Sequence, residues 1–406
     1  MILDIFCEIQ RAAPKWTREA ERQLLLDTLE QAKLADALGY HCWWEVEHHG
    51  AQEFSMSSSP ELILSFIAQN TERIRIGHAG VLSPFGINHP LKVAERAAFL
   101  DLISNGRLEL GLARSSGSEW ENFSVDGGIT RPQTSELMRM LPRMWNETSF
   151  SWNSELIKIP EINVIPKPIQ QPHPAMWLTG TSPDAFKMAG EHGVGGIATT
   201  MLWPIATIKG LVDVFRGAVD NCTDPAGALI NNQFGCFTYV HCAPTKEEAI
   251  ASLAGEAALW YVNSAPVIFR VPRPGLMEMV RAIHGSQPET DQSFRNQAVG
   301  FIEGDVDPDD PVPVIRMLNR QYLGMELDPE EVYEVLEPID SVIIGDPDTC
   351  FEKMRKFAEA GVDRLLCLQQ FGGLTQEQTM NSIKLVGEEL LPRIEKVTAD
   401  FSAPKA

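Results

Sequence analysis

Short apolar runs alternate with helix-length stretches along this chain, and the alternation itself predicts an architecture. Residues 2–9 (ILDIFCEI) read as a first strand. Residues 17–38 read as a helix that Thr17 caps, with Leu24, Leu25, Leu29, Ala32, Ala35 and Leu38 on one stripe and Gly39 as its stop. The pattern then repeats: a strand at 40–46, a helix from Pro60 to Asn70, a strand at 73–82 and a helix at 91–104. It continues with strands at 107–113, 175–180, 194–200, 233–243 and 362–370. Helices are expected at 133–146, 182–192, 204–220, from near Thr245, at 348–361 and at 375–396. Two stretches break the rhythm: a Pro-rich excursion at 159–174, read as a hairpin or strap, and an acidic, Pro-rich insertion at 264–335. Eight strands, nearly all followed by a helix, predict a single α/β domain over 1–406, a (β/α)8 TIM barrel with two elaborations. A doubly wound open sheet is the alternative.

A barrel should gather its special residues at the C-terminal ends of its strands. Glu47-His48-His49 ends the second predicted strand, HAGVLSP the third, Arg114 follows the fourth, TGTS ends the fifth, Thr199-Thr200 the sixth and QQFGG the last. Trp43 and Trp44 alternate in direction, so at most one faces the interior, and both read as core packing. The same alternation sends His48 and His49 to opposite sides, which argues against one metal ion held by the pair; HExxH is also absent. His48 then reads as an acid/base or hydrogen-bonding group, or as a structural histidine.

In LTGTSPDAF, Gly180 permits close backbone approach, Ser182 can cap a helix, Pro183 suits its first turn and Asp184 its positive end. That helix start could hold a phosphate with Arg114 as counter-charge, or it could be an ordinary capped helix near a surface arginine. No dinucleotide fingerprint is present: GVGGIA at 193–198 lacks the spacing and precedes a strand.

A net charge of −21 argues against nucleic acid or an anionic membrane as partner and fits the handling of small molecules. No apolar run approaches the roughly 18 residues that cross a bilayer. Seven scattered cysteines without a CxxC pair, and no signal-peptide pattern, point to the reducing cytoplasm.

Several of these motifs together resemble the bacterial-luciferase-like, flavin-dependent oxidoreductases and monooxygenases. EHH at 47–49, the run IRIGHAGVLSPFGINHPLKVAERAAFLDLISNGRLELGLARS, PKPIQQPHPAMWLTGTSPDAFKMAGEHGVG and IIGDPDTCFEKMRKFAEAGVDRLL carry the likeness over about 1–255 and 340–395. The resemblance implies FMN bound at the C-terminal mouth. It assigns Arg114 to the flavin phosphate with Gly180, Thr181 and Ser182 at the neighbouring helix, where the luciferase has Glu-Ser in place of Thr181-Ser182. His48 matches the histidine implicated in catalysis, and His89 the histidine of the HP pair. Ala79 and Gly80 match residues often joined by a non-prolyl cis peptide behind the ring. Ala113 stands where the luciferase has a reactive cysteine.

The chemistry implied is that of a two-component monooxygenase. Reduced FMN arrives from a separate NAD(P)H:flavin reductase and reacts with O2 to a flavin 4a-hydroperoxide, which oxidises a small organic substrate. The family also contains deazaflavin-dependent hydride-transfer enzymes and flavin-binding proteins without known turnover, and its members are usually homo-oligomers, dimers or tetramers. Residues 264–335 are the candidate lid, and Phe6, Trp203 and Phe371 candidate pocket walls.

Overall fold

The computed structural model describes residues 1–12, 17–51, 53–115, 117–200, 202–270, 272–284 and 306–402. Its strands are β1 (Ile2–Cys7), β2 (Cys42–Glu45), β3 (Arg75–Leu82), β4 (Leu108–Ala113), β5 (Phe150–Asn153), β6 (Lys158–Ile162), β7 (Ala175–Gly180), β8 (Gly195–Thr199), β9 (Phe234–Cys242), β10 (Val342–Gly345) and β11 (Arg364–Leu368). In the order β1-β2-β3-β4-β7-β8-β9-β11 the strands pair in parallel, and β11 returns to β1, closing an eight-stranded ring. Closure excludes the doubly wound alternative, because an open sheet would leave two edges unpaired.

The helices that cover the ring begin with α1 (Arg18–Leu38), α2 (Pro60–Asn70), α3 (Pro90–Ile103), α4 (Gly117–Asn122), α5 (Thr130–Asn146), α6 (Pro183–Glu191), α7 (Ile205–Asp220) and α8 (Lys246–Ala251). They continue with α9 (Ala254–Phe269), α10 (Arg273–His284), α11 (Pro313–Tyr322), α12 (Pro329–Leu336), α13 (Pro347–Glu359), α14 (Gln376–Leu385) and α15 (Leu391–Ser402). The local signals act as expected. Thr17 Oγ1 accepts the Ala20 amide, Gly39 ends α1 at φ 91°, and Pro60 opens α2. Leu25 departs from the expected stripe and is 41% exposed; Thr28 and Gln31 take buried positions on α1 instead.

Three differences from the pattern stand out. The excursion begins earlier than its prolines suggest, as an antiparallel β5–β6 hairpin. The chain after it is pinned where the Asp101 carboxylate accepts the amides of Ile169 and Gln170 at 2.8 and 3.0 Å. A ninth strand of the main sheet, β10, pairs with the last residues of β9 from Tyr239 onward, where β8 has already let go at Phe237. The insertion starts within α9, and of the candidate lid at 264–335, residue 271 and residues 285–305 lie outside the described residues. Among the described residues no helix is long and apolar enough to cross a membrane.

Strand alternation sorts side chains into two layers. Leu3, Ile5, Cys7 and Trp43 join the apolar cluster under the helices, while Phe6, Cys42, Trp44, Val46 and Trp177 join a second cluster inside the ring. The inner cluster runs on without a break into Leu259, Tyr261, Leu276, Leu318 and Val332, so α9 to α12 pack over one end of the barrel.

The other end is sealed. Arg364, buried at the start of β11, pairs with Asp4 at 2.7 Å and Glu109 at 3.3 Å, and its guanidinium lies 5.5 and 5.3 Å from the rings of Trp44 and Trp177. The two indoles return the bonds, Trp44 Nε1 to Asp4 at 2.8 Å and Trp177 Nε1 to Glu109 at 2.6 Å. Room for them comes from glycine: a Cβ on Gly77 would lie 2.2 Å from Trp44, and one on Gly195 2.4 Å from Trp177. Replacing Arg364 by Met would leave the buried Asp4 without its cation and Glu109 with Arg75 alone at 2.7 Å, so Arg364→Met should lose about 3–5 kcal/mol of unfolding free energy. Urea denaturation checks this, and a loss below about 1 kcal/mol would contradict the plug.

Candidate active site

With one end closed, the open rim lies at the C-terminal ends of the strands. β2 stops at Glu45, and the next residues turn outward over the rim. The His48 amide donates to Ser57 O at 2.9 Å, fixing the turn, and its ring presents Nδ1 to Glu119 Oε1 at 3.0 Å. Glu119 is buried on α4; it also accepts the His49 amide at 3.1 Å and the Ser115 hydroxyl at 2.7 Å. Burial alone would lower the proton affinity of His48. The hydrogen bond and charge of Glu119, with Glu8 and Glu47 beyond, outweigh it, and the net shift is upward. Glu119 moves the opposite way: burial would raise it, but its bonds to His48, Ser115 and His49 leave it below the usual carboxylate range. Both shifts describe an imidazolium–carboxylate pair whose other ring nitrogen, Nε2, is not used by Glu119.

His49 goes elsewhere, as the alternation requires. Its Nε2 meets Glu47 Oε1 at 3.1 Å, and Glu47 also accepts the Leu82 amide at 2.8 Å and the Asn88 side chain at 2.9 Å. This network borders a cleft of 460 Å³ shared with Glu61, Leu62, Arg96 and Phe123 of the outer layer. Glu45 belongs to the outer layer too, held by Trp43 Nε1 at 3.1 Å and pushed up to about 8 by burial.

At the neighbouring strand ends, Arg114 donates from Nε and Nη2 to Thr130 Oγ1 at 3.2 and 2.9 Å, with its guanidinium 5.7 Å from the Trp120 ring. The next residue, Arg131, reaches Asp184 in the first turn of α6 at 3.7 Å. The start of α5 therefore holds the Arg114 guanidinium through Thr130 and, through Arg131, touches the first turn of α6. There Ser182 Oγ accepts the Ala185 amide at 3.2 Å, Thr181 is exposed, and a Cβ on Gly180 would lie 2.7 Å from that of Ala185. The cap takes the Ala185 amide and Pro183 has no N–H, so an anion at this helix start would rely on the arginines and on the backbone that leads into the helix.

The Ala79–Gly80 peptide is cis, at an irregularity in the β3–β4 register. Ala79 faces the inner cluster, and a Cβ on Gly80 would lie 2.8 Å from the Gly111 carbonyl carbon, so nothing but hydrogen fits. His89 is placed at the start of α3, where Nδ1 accepts the Leu91 amide at 3.2 Å; its ring serves the outer helix. Phe6 and Phe371 lie in the inner cluster, whereas Trp203 packs with the outer one.

Two rim residues escape the sequence reading. Glu119 carries no local signal beyond a polar stretch after Arg114. Glu8 does: it continues the inward set Asp4, Phe6, Glu8 past the end of β1, and an acid there has to face the mouth. It accepts the Tyr261 hydroxyl at 2.9 Å and the Gln10 side chain at 2.6 Å. Among the described residues, Thr179 Oγ1 and Tyr239 Oη are buried with no hydrogen-bond partner. Thr179 shares the inward face of β7 with Trp177, and Tyr239 that of β9 with Phe237. Orphaned polar atoms inside a barrel mouth, beside paired arginines at a helix start, fit a polar ring system with an anionic tail, which a flavin mononucleotide is.

The chain is also similar to known proteins. The oxygenase component of the flavin-dependent trigonelline monooxygenase of Acinetobacter baylyi is 29% identical over 227 residues, 55% of this chain and 61% of that protein. The chain thus spans about three fifths of that relative's length. The monooxygenase RslO1 from Streptomyces bottropensis superposes with a TM-score of 0.72 at 20% identity, over 97% of this chain and 100% of that one. The oxygenating constituent of 3,6-diketocamphane monooxygenase from Pseudomonas putida, solved with FMN, gives 0.68 at 17% identity over 97% and 98%. These two likenesses are of fold. Residues 3–364 match the family described as luciferase-like monooxygenase, and the chain belongs to that family.

Proposed function

We propose that this protein is the oxygenase of a two-component monooxygenase, taking reduced FMN from a separate NAD(P)H:flavin reductase and using O2 to oxidise a small organic substrate. The observation that carries the reading is the convergence on one rim of the His48–Glu119 pair with Arg114 and the α6 N-terminus. Two further points support it: no nicotinamide fingerprint occurs in the sequence, and the Acinetobacter relative is named as an oxygenase component.

Each residue has a physical task. Arg114, Arg131 and the backbone of Gly180, Thr181 and Ser182 hold the phosphate, the guanidinium groups by charge-assisted bonds. Ala79 and Gly80 provide a flat, side-chain-poor wall for the ring. Bound reduced flavin supplies the electrons that activate O2. His48, kept charged by Glu119, holds a proton on Nε2 for delivery at the mouth. Helices α9 to α12 exclude water from that space. Product formation from a substrate panel with reduced FMN and air tests the reading; turnover only with a reduced deazaflavin, and none with FMN, would contradict it.

His48→Ala should keep FMN affinity yet lower turnover by ~10²–10⁴-fold. In Glu119→Gln the partner charge is gone and the imidazole loses its upward shift, so the limb of the pH–rate profile set by His48 should move to lower pH. A limb that stays in place would remove Glu119 from the mechanism.

We also propose that a second copy covers the outer face of α2 and α3. Leu62 and Phe66, one turn apart on α2, are 66% and 63% exposed, and Phe99 and Leu102 on the adjoining α3 are 59% and 43% exposed. Light scattering should show a dimer or larger, and Phe66→Glu should shift it toward monomer; a monomeric wild type would refute this.

A further inference from the structure

Glu8 is a buried acid with no cation of its own. It is 2% exposed, and the Tyr261 hydroxyl and the Gln10 amide that donate to it are both neutral. Among the described residues no lysine or arginine forms an ion pair with it. Gln10 is itself held in place: its backbone N–H donates to Gln370 Oε1 and its Oε1 accepts from the Gly372 amide, both at 2.9 Å. The carboxyl therefore sits on a rigid support. Burial pushes it up to about 7, with the charge of His48 acting in the opposite direction.

Aromatic rings stand around it. Tyr261 lies 4.8 Å from Phe54 and 5.2 Å from Tyr239, and Tyr239 lies 5.4 Å from Phe371; all four are buried. The hydroxyl of Tyr239, the orphan noted above, is close enough to Glu8 for that charge to add to burial in raising its proton affinity. An acid with no lysine or arginine bonded to it, close to aromatic rings whose faces attract positive charge, is complementary to an organic cation. Each ring face contributes about 0.5–2 kcal/mol to holding one. The acids Glu8, Glu47 and Glu119 around the rim, and the net charge of −21, favour its approach.

We propose that the molecule taken by this mouth is an organic cation, an N-substituted aromatic or quaternary ammonium compound, with its positive nitrogen against Glu8 among Tyr239, Tyr261 and Phe54. That it is then oxidised rests on the monooxygenase reading; that it binds does not. The cation replaces the proton on Glu8, so the buried pair is neutral as a whole, and the rings exclude neutral competitors only weakly.

The test uses the full chain, with and without FMN, titrated calorimetrically with N-methylpyridinium chloride and with its neutral isostere toluene. The cation should bind at least about tenfold more tightly than toluene. Glu8→Gln preserves the shape and the contact with Tyr261, and should remove that preference while leaving toluene and FMN affinities unchanged. The wild-type comparison needs no variant, so a misfolded Glu8→Gln would not shelter the proposal. Equal or tighter binding of toluene, no cation binding at millimolar concentration, or an undiminished preference in Glu8→Gln would each overturn it. Failure of FMN to bind would instead sink the monooxygenase reading, and the cation titration would still be readable on the flavin-free protein.

Discussion

The seal around Arg364 is the constraint from which the rest follows. A ring of eight parallel strands has two ends, and a ligand site needs one closed and one open. Here the Arg364 guanidinium lies between two carboxylates and beside the rings of Trp44 and Trp177, and Arg75 shares Glu109 with it, so the charge at the N-terminal end is balanced. The ion pairs and the two indole hydrogen bonds close that end, and the inward positions beyond it share a common floor. Phe6, Ala79, Thr179, Phe237 and Tyr239 then line the next layer, and everything that follows them on the chain has to emerge at the mouth.

What emerges is segregated by charge. On the β4–β7 side, the Thr130–Arg131 corner of α5 carries the positive groups toward a helix start that is positive as well. On the β1–β2 side stand Glu8, Glu47 and Glu119, with Glu119 holding the His48 ring and Glu47 that of His49. An anionic tail is drawn to the first side, and a proton or a positive group to the second, so the rim orients what it holds before any chemistry occurs. The short α4 links the two, since Trp120 stacks near Arg114 while Glu119 one residue earlier holds His48.

Much of this was legible in the sequence because the signals are local. Period, caps and stops place most helices to within a few residues, and alternation sends His48 and His49 to different networks. Gly180, Ser182 and Asp184 read as a helix start from their order alone. Other features depend on chain segments that meet only in space. Glu119 lies 71 residues from its histidine, and Tyr261 reaches Glu8 from an insertion whose role no motif discloses. The strands β5 and β10 have four residues each, too few for alternation to show. Leu25 fits the helical stripe yet faces solvent, because the neighbouring helix leaves that flank uncovered. The part of His89 that the structure shows, an Nδ1 that caps α3, is a local matter as well.

The central claim is that the open end of the barrel grips a flavin by its phosphate. A crystal structure of the protein soaked with FMN tests it most directly. The account requires the phosphate within hydrogen-bonding distance of the Arg114 guanidinium and the backbone of Gly180–Ser182, with the ring against Ala79–Gly80. Flavin bound at any other place, or no flavin in crystals soaked at saturating concentration, would contradict it.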